Sequence, residues 1–203
     1  LETQLPTPQM NTLLARTKDR RAVELLLKHF DRSAGNRASV IGTLANIGDQ
    51  SVAELFVKHY PSLNDNEKRT VLSALQQMRS PEFRRLAGEA LLTSDASLIS
   101  VASQGLQADG SDEAVKLLAG ALEKSNNTST WSYVANALAA VGTPEAQAAL
   151  SKARDSANSN KANYANNALR NLRQRSPGYQ YIYQAQQFVA QEKWKEAIDQ
   201  YRI

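Results

Sequence analysis

The sequence predicts an all-α protein that folds as a right-handed superhelical solenoid of helical hairpins. The main observation is a leucine that returns about every 31 residues within a similar local sequence. These six residues, which we call the anchor leucines, are Leu13, Leu44, Leu75, Leu106, Leu138 and Leu169. A fixed period of about 20 to 50 residues is typical of stacked repeats, in which each unit buries its apolar face against its neighbours.

Each anchor leucine is predicted to lie in a short helix, which we call an anchor helix. Around Leu44, apolar residues recur at helical spacing as Val40, Ile41 and Ile47. Four residues after three of the anchors stands a glycine, which favours the left-handed conformation that ends a helix. These glycines are Gly48, Gly110 and Gly142.

A second helix, which we call a flanking helix, is predicted to start directly after each anchor helix. Its start carries residues that are favoured at an N-cap or in a first turn. These are Asp19, residues 49–51, Ser80 with Pro81, Ser111 with Asp112, and Thr143 with Pro144. The two helices form one antiparallel hairpin, and residues 1–176 are predicted to hold about five and a half such units.

This pattern resembles the short bacterial type of HEAT-like repeat, which is also found in phycobilisome lyases. The resemblance covers roughly residues 7–175 and rests on a basic residue near the start of the anchor helix, as at Arg37 and Arg69. It also rests on the Ala-Leu pair, the Gly-Asp or Gly-Thr-Pro turn, and a following alanine, which is Ala53, Ala114 or Ala146. The sequence departs from the pattern at Ile99 and Ser100, where a basic residue is usual, and at Arg173, which replaces the glycine.

Residues 177–203 follow a different pattern. Five residues at offsets of 4, 3, 9 and 4 resemble the large and small positions of a tetratricopeptide (TPR) repeat: Tyr181, Ala185, Phe188, Ala197 and Tyr201. The resemblance implies a helical hairpin, and it departs from the motif at Gln184, where an aliphatic residue is usual. Since one hairpin cannot bury both of its faces alone, we expect it to dock on the solenoid or to continue into further repeats.

The composition excludes several kinds of site and segment. The absence of cysteine excludes disulfides, thiolate metal sites and cysteine nucleophiles. Basic residues exceed acidic ones by 24 to 20, without a run of five like charges that would predict a basic arm or an acidic tail. The sequence begins with Leu1 instead of methionine, and the proline that closes a TPR motif would lie beyond Ile203. We therefore interpret the sequence as a piece of a longer protein. Its compartment stays open between an exported or periplasmic location and the cytoplasm.

Candidate sites in the sequence also have simple structural explanations. His29 and His59 stand at equivalent places near the ends of two helices, where a cation interacts well with the helix dipole. Asp109, Asp112 and Glu113 are interpreted as the cap and first-turn acids of the next helix. No catalytic motif or ligand cluster is evident, so we expect no catalytic residue, cofactor or metal.

The concave face of the solenoid is the predicted contact surface, because the anchor helices line it in the HEAT-like arrangement. Asparagine and glutamine amides both donate and accept hydrogen bonds, which suits the backbone of a peptide or a partner helix. The predicted partner-binding residues are Asn46, Arg69, Ser73, Gln77, Gln104, Trp131, Asn136, Asn163, Asn167 and Asn171. An ordinary solvated helix face is the alternative, and Trp131 is interpreted as a packing or a partner-contact residue.

These observations predict a non-enzymatic protein-interaction scaffold that binds a protein or peptide. One alternative is a nucleic-acid-binding HEAT-like module that uses Arg170, Arg173 and Arg175, although Arg69 alone supplies charge to the predicted surface. A second alternative, drawn from the resemblance, is an accessory to bilin–protein ligation. Homo-oligomerisation through the C-terminal edge is also expected, because that edge would expose apolar surface.

Overall fold

The computed structural model is an all-α solenoid, as the repeat pattern predicts. It describes residues 7, 9, 13, 16, 20–30, 37–48 and 51–201. This part of the chain contains twelve α-helices and no strand. The helices are α1 (Arg20–Phe30), α2 (Arg37–Ile47), α3 (Ser51–His59), α4 (Asp65–Gln77), α5 (Glu82–Ala90), α6 (Ala96–Asp109), α7 (Asp112–Lys124), α8 (Thr128–Val141), α9 (Pro144–Arg154), α10 (Ser159–Arg175), α11 (Pro177–Ala190) and α12 (Trp194–Tyr201).

The helices form two layers with a continuous core between them. The anchor helices α2, α4, α6, α8 and α10 pack in succession, each against the next. The flanking helices α3, α5, α7 and α9 form the second row, and α5, α7 and α9 each also pack against the anchor helices on either side. This is the arrangement expected of stacked repeats, since no single hairpin encloses a core of its own.

Five of the six anchor leucines lie in that core. Leu44, Leu75, Leu106 and Leu138 are fully buried, and Leu169 is nearly so. Leu13 is different, because 61% of its surface is exposed. The expectation that Leu13 is buried like the other five anchors is therefore wrong.

Three anchor helices end at the predicted glycines. Gly48, Gly110 and Gly142 have φ angles of 76°, 62° and 70°, in the left-handed region that favours glycine. Each glycine N–H donates to the carbonyl oxygen of its own anchor leucine, over 2.9 to 3.2 Å. The anchor leucine thus packs through its side chain and receives the cap through its backbone. Helix α10 has Arg173 at this position and continues to Arg175.

The starts of the flanking helices agree in part with the predictions. Ser111 and Thr143 accept hydrogen bonds from the backbone N–H groups of Ala114 and Ala146, so both are N-caps. Helix α5 has Pro81 at its N-cap, where no side-chain cap forms, and Ser80 Oγ accepts from Glu82 N at 3.4 Å instead. Asp19 and residues 49 and 50 lie outside the described residues.

Arg37, the basic residue at the start of α2, connects neighbouring repeats. Its guanidinium lies 5.4 Å from the centre of the Phe30 ring and 3.5 Å from the Glu67 carboxylate. Glu67 also closes a capping box with Asn64 at the start of α4. One cation therefore links α1, α2 and α4.

Tyr60 provides a test of burial in this core. It lies in a 3₁₀ turn (Tyr60–Ser62) between α3 and α4. Burial raises the pKa of its phenol to about 12, and the negative charges of Glu89 and Asp65 act in the same direction. A raised folded-state pKa contributes stability that is present below pH ~10 and is lost as the pH rises toward the folded-state value.

We expect the free energy of unfolding to fall by about 1 kcal/mol more in the wild type than in Tyr60→Phe when the pH rises from about 9 to about 11. The physical reason is that the unfolded chain releases the phenol proton first. Urea denaturation at the two pH values measures the difference. Tyr181→Phe, which changes an exposed tyrosine, serves as the control, and equal pH dependence in all three proteins would contradict the assignment.

Candidate functional site

The predicted contact residues, apart from Trp131, lie on the exposed or half-exposed side of the anchor helices. Gln77 Nε2 donates to Asn46 Oδ1 at 3.1 Å and so connects two neighbouring anchor helices. Arg69 is half-buried and donates to Asn66 Oδ1 at 2.5 Å, one turn away. The residues that are exposed are Asn46, Ser73, Gln77, Gln104, Asn136, Asn163, Asn167 and Asn171. Their contact with a partner stays a prediction.

Trp131 is a packing residue. Only 4% of its surface is exposed, and its indole N–H donates to the Ser125 carbonyl oxygen at 2.8 Å. The adjacent Thr130 hydroxyl donates to the Leu91 carbonyl oxygen at 3.2 Å. Both bonds are buried and hold the start of α8, so the placement of Trp131 on a contact surface is wrong. Its apolar ring fills core volume that the 31-residue register alone does not reveal.

The histidines and acidic residues also have structural contacts. The His59 ring packs against the Phe30 ring with centres 5.1 Å apart, and the side chain of His29 is outside the described part. No group of three or more potential metal ligands occurs among the residues described. Asp112 and Glu113 lie in the first turn of α7, as predicted. Asp109 does not: it ends α6 and binds Arg84, because Ser111 provides the cap.

A groove lies between α4, α5 and α6. It has a volume of about 500 Å³. Leu75, Phe83 and Gly105 line its buried base, while Gln76, Arg79, Pro81 and Ala108 form its exposed rim. Ser80, Arg84 and Asp109 complete the lining. Concave sites with an apolar base and a few polar groups are where proteins bind small ligands.

The base of the groove depends on a glycine. A Cβ atom at Gly105 would lie 2.2 Å from Cζ of Phe83, which no real side chain tolerates. Glycine inside a helix costs about 1 kcal/mol relative to alanine. Gly105 is therefore explained by the close approach of the Phe83 ring, which forms the floor between α5 and α6.

Arg79 stands where three other repeats have a glycine. It follows Leu75 by four residues, as Gly48, Gly110 and Gly142 follow their anchors, and its φ angle is 51°. Arg79 N donates to Gln76 O at 3.0 Å and Ser80 N donates to Leu75 O at 2.9 Å. This pair of bonds is a Schellman motif, which usually takes glycine at this position. A side chain in the left-handed region costs about 1–2 kcal/mol, and such strain is concentrated at functional sites.

The charges of the groove leave one cation available. Arg84 Nε lies 2.6 Å from Asp109 Oδ2, and the hydrogen bond from Arg84 holds the pKa of the Asp109 carboxyl below its usual range. Arg79 makes no ion pair or side-chain hydrogen bond with any of the described residues. Its guanidinium presents a planar set of donors that matches a carboxylate. The groove therefore offers one unpaired positive charge above an apolar floor.

A second, smaller cavity has a structural explanation. It measures about 270 Å³ and includes Glu123, Lys152 and Lys161. Lys152 Nζ lies 2.6 Å from the Glu123 carboxylate, and Lys161 Nζ donates to the Glu123 carbonyl oxygen at 2.8 Å. Burial lowers the pKa of Lys161. Lysines that bond the last carbonyls of a helix stabilise its end, which accounts for this cluster.

The C-terminal hairpin is formed by α11 and α12. Ala185 and Ala197 are almost fully buried, as small residues between two close helices should be. Phe188 is half-buried and Tyr181 is exposed, while the side chain of Tyr201 is not described. Several large apolar residues are exposed on this hairpin: Ile182, Tyr183, Val189, Trp194 and Ile198.

Sequence reasoning missed Arg79 and Phe83. A signal for Arg79 is present in the sequence, namely the departure from glycine at an otherwise glycine-containing turn. Phe83 and Gly105 are 22 residues apart and carry no pattern that joins them. Their contact follows only from the packing of α5 on α6.

Comparison with known proteins gives a structural likeness only. No family model matches the chain, and no curated protein matches its sequence. The solved structure of human deoxyhypusine hydroxylase in complex with glycerol is similar, with a TM-score of 0.41 and 17% sequence identity. The similarity covers 80% of this chain and 77% of that one. The chain has a HEAT-like all-helical repeat fold, and the likeness concerns that fold alone.

The same finding corrects two predictions. The prediction of a non-enzymatic scaffold is contradicted, because the similar structure is that of an enzyme. The prediction that the chain is not an enzyme is contradicted for the same reason. The error lay in treating a repeat architecture as an argument against catalysis, although a fold does not determine a function. Function must instead be argued from the groove.

Gly105→Ala tests the packing at the base of the groove. We expect it to lower the free energy of unfolding by about 1–3 kcal/mol, because the new methyl group overlaps the Phe83 ring. Gly120→Ala is the matched control, since a Cβ there meets nothing within 4 Å. The control should raise the stability by about 0.5–1 kcal/mol. Urea denaturation measures both, and a stabilised Gly105→Ala protein would refute the contact.

Arg79→Gly tests the strain at the rim of the groove. We expect the melting temperature to rise by about 2–4 °C, because removal of the left-handed side chain returns about 1 kcal/mol. Glu192→Gly is the matched control, since Glu192 has a φ angle of 59° in the turn between α11 and α12. Both variants should melt higher in differential scanning calorimetry. A less stable Arg79→Gly protein would show that the arginine supports the fold.

Proposed function

We propose that the chain binds a small organic anion with an apolar body in the groove formed by α4, α5 and α6. The observation that carries this proposal is Arg79, a strained and unpaired cation where three equivalent turns have glycine. If that position served only to end a helix, glycine would do so at lower cost. The cost of a guanidinium at this position is explained if its charge binds a ligand.

The surrounding residues define the ligand that would fit. Pro81 and Ala108, which are exposed beside the almost buried Phe83 ring, offer contact to an aromatic or branched aliphatic group. The guanidinium of Arg79 suits a carboxylate, which it can bind through two parallel hydrogen bonds. Asp109 and Arg84 neutralise each other, so Arg79 leaves the lining with a net charge of one, which a ligand with one negative charge matches. The groove is thus suited to a monoanion.

The probe for this proposal is 3-phenylpropanoate, which combines one carboxylate with an aromatic ring. We expect a dissociation constant on the order of millimolar, since small ligands gain about 0.3 kcal/mol or more per heavy atom. The backbone amide NMR signals of Gln76, Ser80 and Gly105 should shift on titration. The neutral 3-phenylpropanamide should bind about tenfold more weakly or worse, because it lacks the charge-assisted hydrogen bonds.

Two variants distinguish the effect of the Arg79 charge on binding from its effect on stability. Arg79→Gly should lose binding by about tenfold or more while it gains stability. Glu192→Gly should bind like the wild type, although it relieves the same kind of strain. Equal shifts in the wild type and Arg79→Gly, or shifts outside the groove, would refute the proposal.

For the C-terminal region we propose a TPR-type hairpin over residues 177–203. Its support is the burial of Ala185 and Ala197 between α11 and α12, at the small positions of the motif. The exposed apolar residues of the hairpin are consistent with a repeat that stacks on a further helix. Contact of this edge with another copy of the chain belongs to the same proposal.

A further inference from the structure

The groove is open along one side. Its base is buried, but Gln76, Arg79, Pro81 and Ala108 are exposed along its rim. It lies where α4 and α6 end and α5 begins, so nothing among its lining residues closes it from above. Enclosed cavities bury most of a small ligand. An open groove instead admits the end of a longer chain, whose remainder continues into solvent.

We infer that the natural anion of this groove is the C-terminal carboxylate of a polypeptide, bound by Arg79 with the last side chain over Phe83. This inference rests on the proposed function and names its ligand. A chain end has one negative charge, an adjacent peptide group and one side chain. The groove provides a counterpart for each of these three groups.

The charge is matched by Arg79. A free α-carboxylate has two oxygens and a single negative charge, which suits one guanidinium. The Asp109 carboxylate is paired with Arg84 over 2.6 Å, so the charged lining residues leave a net charge of one, which a single carboxylate neutralises and a phosphate dianion exceeds. Complementarity of charge thus favours a chain end that carries one carboxylate and an uncharged last residue.

The peptide group and the side chain are matched by Gln76, Ser80 and Phe83. The exposed Gln76 amide can accept from a peptide N–H or donate to a peptide carbonyl. Ser80 Oγ accepts from Glu82 N, which leaves its hydroxyl proton for a ligand oxygen. Together with the small exposed part of the Phe83 ring, the exposed Pro81 and Ala108 give an aromatic or leucine side chain an apolar surface. The groove volume of about 500 Å³ is within the range of ligand sites.

The experiment compares three probes on the intact chain by NMR titration. They are the tetrapeptide acetyl-Ala-Ala-Ala-Phe with a free carboxylate, the same peptide as its C-terminal amide, and 3-phenylpropanoate. We expect the peptide acid to bind at least tenfold more tightly than either of the others. Arg79→Gly should abolish that preference for the acid over the amide, while Glu192→Gly should retain it.

The outcomes distinguish this inference from the function on which it rests. If 3-phenylpropanoate binds as tightly as the peptide acid and requires Arg79, the polypeptide ligand is refuted and the anion site stands. If the peptide amide binds as tightly as the acid, recognition of the chain end is refuted. If no probe binds in a manner that depends on Arg79, both the inference and the proposed function are refuted.

Discussion

The structure depends on one repeated arrangement, in which a buried leucine and the turn behind it are stabilised together. The side chain of each anchor leucine from Leu44 onward lies in the core between two layers of helices. In three of these repeats the carbonyl oxygen of the same residue accepts the hydrogen bond of the following glycine. Burial sets where the anchor helix packs, and the cap sets where it ends. Since neighbouring anchor helices pack on one another, an error in one turn would displace the next repeat.

Variation at the turn position has different consequences in different repeats. Glycine ends α2, α6 and α8 without strain, whereas Arg173 lets α10 continue for two further residues. Arg79 ends α4 in a left-handed conformation despite its side chain. The turn is therefore maintained there by the hydrogen bonds to Leu75 and Gln76 and by the buried neighbours of Leu75. A stable repeat array can carry this local cost, because its stability is summed over many interfaces.

The groove arises from the same architecture. Successive anchor helices end side by side, so the space between two of their ends is lined by residues from two repeats. At α4 and α6 this space has an apolar base because Gly105 allows the tip of the Phe83 ring to approach α6 closely. It has a charged rim because Arg79 and the Arg84–Asp109 pair stand on adjoining elements. The repeat thus supplies the cavity, and single departures from the repeat supply its chemistry. Function in such a fold is best sought where a repeat differs from its neighbours.

The sequence by itself determined the helical hairpins, their period, the anchor leucines from Leu44 onward and the glycine turns. These features are local or recur at a fixed spacing, so they are visible without coordinates. The sequence also placed the predicted contact residues on the exposed side of the anchor helices, with Trp131 as the exception.

The tertiary structure alone decided the rest. It buried Trp131, paired Asp109 with Arg84 across 25 positions of sequence, and brought Phe83 against Gly105. It also showed that Arg79 has a strained backbone and no partner among the described residues. These facts depend on which side chains meet between different helices. Hydrophobic periodicity specifies the face that a helix buries, but the individual contacts across that face are determined only when the helices pack.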